Sequence, residues 1–458
     1  MKHRKTAALV LLSLSAAGSL AACGTSAGSS SAGTNSSGPT SFAGQTLTVL
    51  EDAPSGAKAK ATTEDYNWLA EQFKKQTGAT IKFQYYSSGS QETTIIETSA
   101  VSGSGPDVID YGSGYAPVLA ATNGYLTFGQ SDWTAVGGRG AFLPSQLLES
   151  GDSPTTDVGV PYESNPQVLA YNTSYFTKAG ITSPPTTWTE FVQDAQKVQA
   201  ANPGVAGVGI DPVDPYDPWK TVWLISRQSD SNFISPDLKT AQLASAPVKA
   251  ATLFYLGMVY QYHISPQASL GWNNAQMVAN FTSGKTAMEL SGEWSTSLQA
   301  QGTPLAGHLG FAPLPNVPYG MTSRPAGAPA AEAPIVGSWY AIAKSAGTRI
   351  PLAEDFIKLS VGTAAQLEAL QTIGNLPVTH AAIAAAEAKY PSSKPFFAAE
   401  QGGVAQPNTL AWSDIEAGIE TILGNIAGNI ASSGSYSPSY GDAQFATEQT
   451  AVQAHIQS

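Results

Sequence analysis

Apolar positions recur with two different periods along this chain, which indicates an α/β architecture. Residues 46–50 alternate polar and apolar side chains, as a half-buried strand does. From 66 to 73 the apolar residues are spaced to share one helical face, and Thr62 and Asp65 have the spacing of a capping box. Gly78 predicts the end of this helix. Further strands are predicted at 79–86 and 106–111.

The alternation of strand and helix restarts after residue 150. Residues 168–171, 207–210 and 286–290 predict strands, while Thr187 and Glu190 predict a capping box that opens a helix. Strand, helix and strand at this spacing favour right-handed crossovers in mainly parallel sheets, divided between two lobes. Further helices are predicted near 219–228, 247–262 and 273–283.

The N-terminus predicts an export signal. It combines a basic start, an apolar run at 7–14 and small residues before Cys23, the single cysteine of the 458 residues. The run is too short to cross a bilayer. Leu20-Ala21-Ala22-Cys23 resembles the lipobox of bacterial lipoproteins, which implies removal of the signal peptide 1–22 and attachment of lipid, such as palmitate, to Cys23. The alternative is an ordinary signal peptide that happens to contain a cysteine.

Composition narrows the functional classes. Residues 23–41 are almost only Gly, Ser, Thr and Ala, which predicts a flexible tether. A net charge of −12 with only 12% charged residues argues against a nucleic-acid partner. The five histidines have no metal-ligand spacing and no G-x-S-x-G elbow occurs, so we expect no metal, no cofactor and no enzyme activity. No later apolar run is long enough for a membrane span, so lipid is the expected anchor.

Several short segments together resemble one protein family. Their order and spacing are similar to those of the extracellular solute-binding proteins of ABC importers, family 1, the maltose-binding-like sugar group. The resemblance begins near residue 45 and continues to the C-terminus. The segments are 105–109, 123–126, 160–162, 169–172, 187–191, 281–288, 291–294, 310–315, 336–342 and 355–358.

This resemblance implies the two-lobe periplasmic-binding-protein-like fold of type II, with a ligand cleft between the lobes. Lobe 1 would comprise 42–162 and 313–375, and lobe 2 would comprise 163–312 and 376–458. The chain would cross between lobes near 160–167, 309–315 and 372–378. The implied function is capture of a sugar by a monomer outside the cytoplasm and its delivery to the permease subunits of an ABC importer.

A sugar site requires groups that replace water on hydroxyls and flat rings that cover C–H faces. Polar and aromatic residues that follow strands are therefore candidates, because α/β ligand sites lie beyond the carboxyl ends of strands. The resemblance to the family implies that Trp294 and Trp339 stack on the sugar ring. It also implies a polar contact from Glu163 or Asn165 at the first crossover. The candidates are Glu51, Asp52, Tyr86, Tyr111, Tyr115, Glu163, Asn165, Asp211, Asp214, Tyr216, Trp272, Glu293, Trp294 and Trp339.

Alternatives remain open at this point. The tyrosine pair at 85–86 also occurs in ferric-ion binders, but no histidine–carboxylate cluster accompanies it. The acidic loop 211–218 lacks the alternating acids and central glycine of a calcium loop. Carboxylates and tryptophans in a cleft also describe a lipid-anchored glycoside hydrolase. A non-sugar solute such as a polyol, or a sensor system as recipient, is a further alternative.

Overall fold

Two main β-sheets and one short antiparallel pair, Gly151–Ser153 with Thr156–Asp157, organise the residues that the computed structural model describes, which are 42–55, 58–153 and 155–457. The expected signal peptide 1–22 and tether 23–41 lie outside these ranges. The strands are β1 (Thr46–Asp52), β2 (Thr80–Tyr86), β3 (Val108–Gly112), β4 (Gly151–Ser153), β5 (Thr156–Asp157), β6 (Val160–Ser164), β7 (Val168–Asn172), β8 (Met288–Gly292), β9 (Leu309–Ala312) and β10 (Gly337–Ile342).

Helices cover both sheets. In chain order they are α1 (Ala59–Thr77), α2 (Gly89–Ser102), α3 (Ala116–Thr122), α4 (Gln130–Ala135), α5 (Thr173–Lys178), α6 (Trp188–Ala201), α7 (Pro218–Gln228), α8 (Ala246–Tyr260), α9 (Asn274–Thr282), α10 (Trp294–Gln299), α11 (Ile350–Ser360), α12 (Thr363–Thr372), α13 (His380–Lys389), α14 (Lys394–Gln401), α15 (Trp412–Ser433) and α16 (Pro438–Ile456).

The first sheet has the strand order β2-β1-β3-β10-β6. β1 pairs in parallel with β2 and β3, whereas β10 pairs antiparallel with β3 and β6. Four of the five strands therefore run in one direction, and β10 alone opposes them. Helices α1 and α11 pack on this sheet through one core that includes Phe73 and Phe356. This sheet and its helices form the first lobe.

The second sheet has the order β8-β7-β9, with β7 antiparallel to both neighbours. The predicted strand at 207–210 contributes only isolated parallel bridges to this sheet, at Ala206 and Gly209. Its main core contains Trp188, Trp223 and Trp412, all fully buried, and joins α6, α7, α8 and α15. This sheet and its helices form the second lobe.

Helix boundaries show which local signals were correct. Thr187 and Glu190 form the expected capping box of α6, and Gly78 ends α1 with a left-handed φ of 79°. The capping box predicted at Thr62 and Asp65 is wrong, because α1 begins at Ala59 and both residues lie inside it.

The segment that returns to the first lobe lies later than expected. The resemblance implies that residues 313–335 belong to lobe 1, but Leu314 and Ala331 are buried in the core of the second lobe. Val317 also bridges Thr187, at the start of α6. The chain rejoins the first sheet only at β10, whose Gly337 pairs with Ser164.

Within the residues described, no helix combines the length and apolar character that crossing a membrane requires.

Candidate functional site

Two adjoining cavities lie where the first sheet ends and the second lobe begins. The smaller has a volume of about 310 Å³ and is lined mainly by residues of the first lobe, and we call it the inner cavity. The larger has a volume of about 690 Å³, lies between α2 of the first lobe and α7 and α15 of the second, and is called the interlobe cavity. Asp52 and Tyr86 line both cavities.

The position of Asp52 and Tyr86 follows from strand register. They are the last residues of the parallel strands β1 and β2, and they pair with each other across the ladder. Carboxyl ends of parallel strands meet at one edge of a sheet, where side chains leave the ladder and face a crevice. The two cavities therefore meet at the edge of the sheet where an α/β fold places a ligand.

A hydrogen-bonded group of carboxyls and tyrosines lies at the inner cavity. The Tyr86 hydroxyl donates to Asp110 Oδ2 at 2.8 Å, and the Tyr162 hydroxyl donates to Asp110 Oδ1 at 3.1 Å. The Tyr162 ring stacks on Tyr340 with centroids 3.8 Å apart. The Tyr340 hydroxyl in turn donates to Glu51 Oε1 at 2.7 Å. These contacts fix three tyrosine rings at the cavity wall.

Glu163 connects three chain segments at the same cavity. Its Oε1 accepts from Asn165 Nδ2 at 3.1 Å and from Ser338 Oγ at 3.1 Å. Its Oε2 accepts from the Asn375 amide. Glu163, Asn165 and Asn375 lie in or beside the expected crossover segments, so this carboxyl ties the connections between the lobes to the cavity wall.

Burial raises the pKa of several of these acids. Desolvation raises the pKa of Asp110 to about 7, although the Tyr86 and Tyr162 hydroxyls partly oppose it. Desolvation, with the nearby Asp110 charge, raises the pKa of Glu163 to about 8. The pKa of fully buried Glu51 is raised well above its usual range for the same two reasons. Near neutral pH these acids therefore hold protons that exposed carboxyls would release.

The interlobe cavity is also lined by acids. Glu92 comes from α2, and Glu416 and Glu420 come from α15, one turn apart on the same helix. Burial raises the pKa of Glu416 and of Glu420 to about 8. At the rim of the inner cavity, Lys58 Nζ lies 3.6 Å from Glu293 Oε2 and links the two lobes.

Half of the candidates proposed from sequence line these cavities. Asp52 and Tyr86 line both of them. The inner cavity is also lined by Glu163, Asn165 and Glu293, and the interlobe cavity by Tyr115 and Tyr216.

The structure corrects the expectation for three aromatic candidates. Tyr111 and Trp339 are fully buried and stack on each other in the first lobe with centroids 6.0 Å apart. Trp294 is only 5% exposed and packs against Phe311 and Phe396 in the second lobe. None of the three rings lines either cavity, since each points from its strand or helix into a core.

Four other candidates also lie away from the two cavities. Glu51 is fully buried behind Tyr340. Asp211 is buried and accepts from the Tyr255 hydroxyl at 2.8 Å, and burial raises its pKa to about 8. Asp214 accepts from the backbone N–H of its own loop and of Asn274. Trp272 lies beside Gly209 in the second lobe.

Sequence reasoning missed several lining residues. The sequence pattern predicts a capping role for Asp65 and gives no functional signal for Trp68, yet both line the inner cavity. Two signals were available in the sequence: acids and tyrosines within otherwise apolar strands, and acids four residues apart on one helix face. The missed lining residues are Asp65, Tyr66, Trp68, Asp110, Tyr162 and Tyr340 at the inner cavity, and Glu92, Trp219, Glu416 and Glu420 at the interlobe cavity.

Among the residues described, no three His, Cys, Asp or Glu side chains are placed to hold a metal ion. Acceptors and rings drawn from both lobes are instead an arrangement suited to a small polar molecule.

Comparison with known families agrees with this geometry. The sequence model of the bacterial extracellular solute-binding proteins matches residues 50–367, which is more than half of the chain. The chain therefore belongs to this family, as its motifs predicted. Among curated proteins, no sequence matches the chain significantly.

Solved structures share the two-lobe fold. An ABC-transporter solute-binding protein from Thermotoga lettingae TMO, bound with α-D-tagatose, is 16% identical with a TM-score of 0.72, over 90% of this chain and all of that one. The GacH receptor of Streptomyces glaucescens, solved with acarbose, is 20% identical with a TM-score of 0.69, over 90% and 98%. UgpB from Mycobacterium tuberculosis, in complex with glycerophosphocholine, is 17% identical with a TM-score of 0.69, over 90% and 98%. The expected fold is confirmed.

Replacing Trp294 by alanine should destabilise the protein rather than remove a binding surface. The ring fills a closed aromatic core, so its loss should lower the free energy of unfolding by about 3–5 kcal/mol. Urea unfolding measures this. Tyr216→Ala is the control, because Tyr216 is 57% exposed and should change stability by only about 0.5 kcal/mol. Unchanged stability of Trp294→Ala would show that the ring does not support the core.

Stability should fall as pH rises from about 4 to about 8. The folded protein holds a proton on Glu163 up to a pKa of about 8, whereas an unfolded chain releases it near pH 4.3, so the folded state binds more protons within this window. Urea unfolding at pH 5.5 and 8.5 measures the slope. Glu163→Gln should make it shallower, and Glu71→Gln, at an exposed ion pair of α1, should leave it unchanged. A slope that Glu163→Gln does not alter contradicts the prediction.

Proposed function

We propose that this protein captures a hydroxyl-rich solute of the sugar class between its lobes and delivers it to an ABC permease. One observation carries the proposal: tyrosine rings and carboxyl acceptors from both lobes line two adjoining cavities that share Asp52 and Tyr86. Carboxyls accept strong hydrogen bonds from sugar hydroxyls, and tyrosine faces cover C–H surfaces. Two structural neighbours were solved with the carbohydrates tagatose and acarbose, which supports the same class here.

Acids from both lobes also disfavour anionic solutes. A phosphate or carboxylate in the inner cavity would face the carboxyls of Asp52, Asp110 and Glu163, which offer no cation to pair with it. The one lysine among the described residues of that wall, Lys58, already lies 3.6 Å from Glu293. Because the solute contacts both lobes at once only when they are close, it stabilises the closed state by its differential affinity. The closed form is the one we expect the permease to recognise.

Binding without chemical change is favoured over hydrolysis. Both oxygens of Asp110 and both oxygens of Glu163 accept hydrogen bonds from neighbouring tyrosine, serine or amide groups. These carboxyls are thereby engaged in shaping the wall rather than free to transfer protons to a glycosidic bond. Membership of a family of solute-binding proteins supports the same conclusion.

The N-terminal motif supports a place at the outer face of the cell membrane. We infer that cleavage before Cys23 and lipid on its thiol anchor a monomer. The Gly- and Ser-rich composition of residues 23–41, the expected tether, supports an anchor that lets the lobes approach a permease in the same membrane.

Sugars should raise the melting temperature of the full chain purified in detergent, because a ligand that binds only the folded state stabilises it. A thermal-shift panel of glucose, tagatose, maltose, mannitol and glucose 6-phosphate tests this, and the phosphate should have no effect. Asp52→Asn should weaken binding of the best sugar about tenfold or more, since it replaces a charged acceptor. The control is Asp152→Asn, at an exposed residue of β4. Equal affinity in wild type and a folded Asp52→Asn variant would contradict the proposal.

Cys23→Ser should release the protein from the membrane, because the proposed lipid is attached through the thiol. Fractionation of expressing cells into membrane and medium measures the distribution, and mass spectrometry of the membrane-bound N-terminus tests for the acyl chains. Ser26→Ala, within the tether, is the matched control and should stay membrane-bound. A Cys23→Ser protein that remains with the membrane would show a different mode of attachment.

A further inference from the structure

The interlobe cavity brings carboxyls of the two lobes together with little compensating positive charge. Asp52 and Glu92 come from the first lobe, and Glu416 and Glu420 from the second. Among the described residues that line this cavity, Lys220 is the one Lys or Arg, and its Nζ already lies 2.9 Å from Asp217. The cavity therefore holds more carboxyl groups than the protein pairs with basic side chains.

Glu92 shows the imbalance most directly. The residue is only 4% exposed, and one carboxyl oxygen accepts from the Gly112 N–H at 3.3 Å. Its other oxygen has no hydrogen-bond partner among the described residues, although Glu92 lines the cavity. A carboxyl removed from water in this way is costly unless a donor or a cation completes its hydrogen bonds.

Aromatic rings complete the wall around these acids. Tyr86 and Tyr115 line the cavity from the first lobe, and Tyr216 and Trp219 line it from the second. Aromatic faces attract an organic cation through the ring quadrupole, and carboxyls attract it by charge and hydrogen bonding.

A metal ion fits this wall less well. No three carboxyl, imidazole or thiol groups in the described part of the chain are placed to hold one. Rings in the wall are instead suited to a cation carried on an organic molecule.

Resting on the proposed function, we propose that the solute is an amino sugar whose ammonium group binds in the interlobe cavity between Glu92 of the first lobe and Glu416 and Glu420 of the second. The sugar ring then lies towards Asp52 and the inner cavity. The ammonium group can hydrogen-bond to acids of both lobes only when the lobes are close, so its affinity is greater for the closed state.

The raised pKa values of Glu420 and Glu92 agree with this geometry. Burial first, and then the neighbouring Glu416 charge, raise the pKa of Glu420 to about 8. Burial also raises the pKa of Glu92 well above its usual range, and charges on both lobes, including Asp110 and Glu416, add to the effect. A bound ammonium group would favour the ionised form of each acid and so bind with release of protons.

Calorimetric titration of the full chain in detergent tests the proposal. The probes are matched sets: glucose, glucosamine and N-acetylglucosamine; galactose and galactosamine; cellobiose and the glucosamine disaccharide. Putrescine is added as a diamine without a sugar ring. Amino sugars should bind about tenfold or more tightly than their neutral and N-acetylated counterparts, because a charge-assisted bond replaces a neutral one. Added sodium chloride should reduce this preference.

Two variants locate the site. Glu416→Gln and Glu92→Gln should each reduce the ratio of the amino-sugar affinity to the neutral-sugar affinity from about tenfold to near one. Glu71→Gln is the control, since its side chain is 73% exposed on α1 and outside the cavity, and it should keep the full preference. The comparison of free and acetylated amines in wild type needs no variant, so a folding defect cannot obscure the answer.

The outcomes separate this inference from the proposed function. Equal binding of neutral and amino sugars would overturn the inference and leave sugar binding intact. Binding of putrescine but of no amino sugar would overturn the amino-sugar assignment and the sugar class together. No binding by any member of the panel to a folded protein would also overturn both.

Discussion

A carboxyl buried within a strand must find hydrogen-bond donors, because leaving it unpaired would cost several kcal/mol. Asp110 meets this requirement with the hydroxyls of Tyr86 and Tyr162. The two tyrosines come from β2 and β6, the outer strands of the first sheet, so one carboxyl joins its two edges at the inner cavity. These hydrogen bonds orient both tyrosine rings and pair both oxygens of Asp110, so the cavity wall is ordered without a bound solute. Preorganisation of this kind reduces the entropy lost on binding.

The same requirement ties the site to the connections between the lobes. Glu163 lies near the end of β6, just before the chain enters the second lobe, and its donors Ser338 and Asn375 lie in two other segments near that boundary. Domain closure must turn the backbone somewhere in these connections, while the packed lobes move as units. A solute that contacts Glu163 therefore acts on the wall and on the hinge region together. The Lys58–Glu293 pair across the rim is a second contact sensitive to how close the lobes are.

Sequence patterns predicted local features well and long-range ones poorly. The strand ends at Asp52 and Tyr86, and the cap at Thr187, depend on periodicity and hydrogen bonds within a few residues. Whether a tryptophan faces a cleft or a core depends on which elements pack over it. Trp294 is covered by Phe311 and Phe396, and Phe396 lies about a hundred residues further along the chain. Glu92 and Glu416 likewise meet at one cavity only because two lobes come together.

Charge balance, more than fold, distinguishes one cleft of this architecture from another. Structures with tagatose, acarbose and glycerophosphocholine share the two-lobe frame at TM-scores of 0.69–0.72, so the frame itself does not specify a solute. Specificity must come from side chains at the strand ends and on the facing helices. Here those positions hold Asp52, Glu92, Glu416 and Glu420 against one lysine already paired with Asp217. A cleft disfavours an anion when it offers no free cation to pair with it, and it favours a cation when it offers several carboxyls. The excess of carboxyls over basic side chains therefore selects against anions and in favour of a solute that carries its own positive charge.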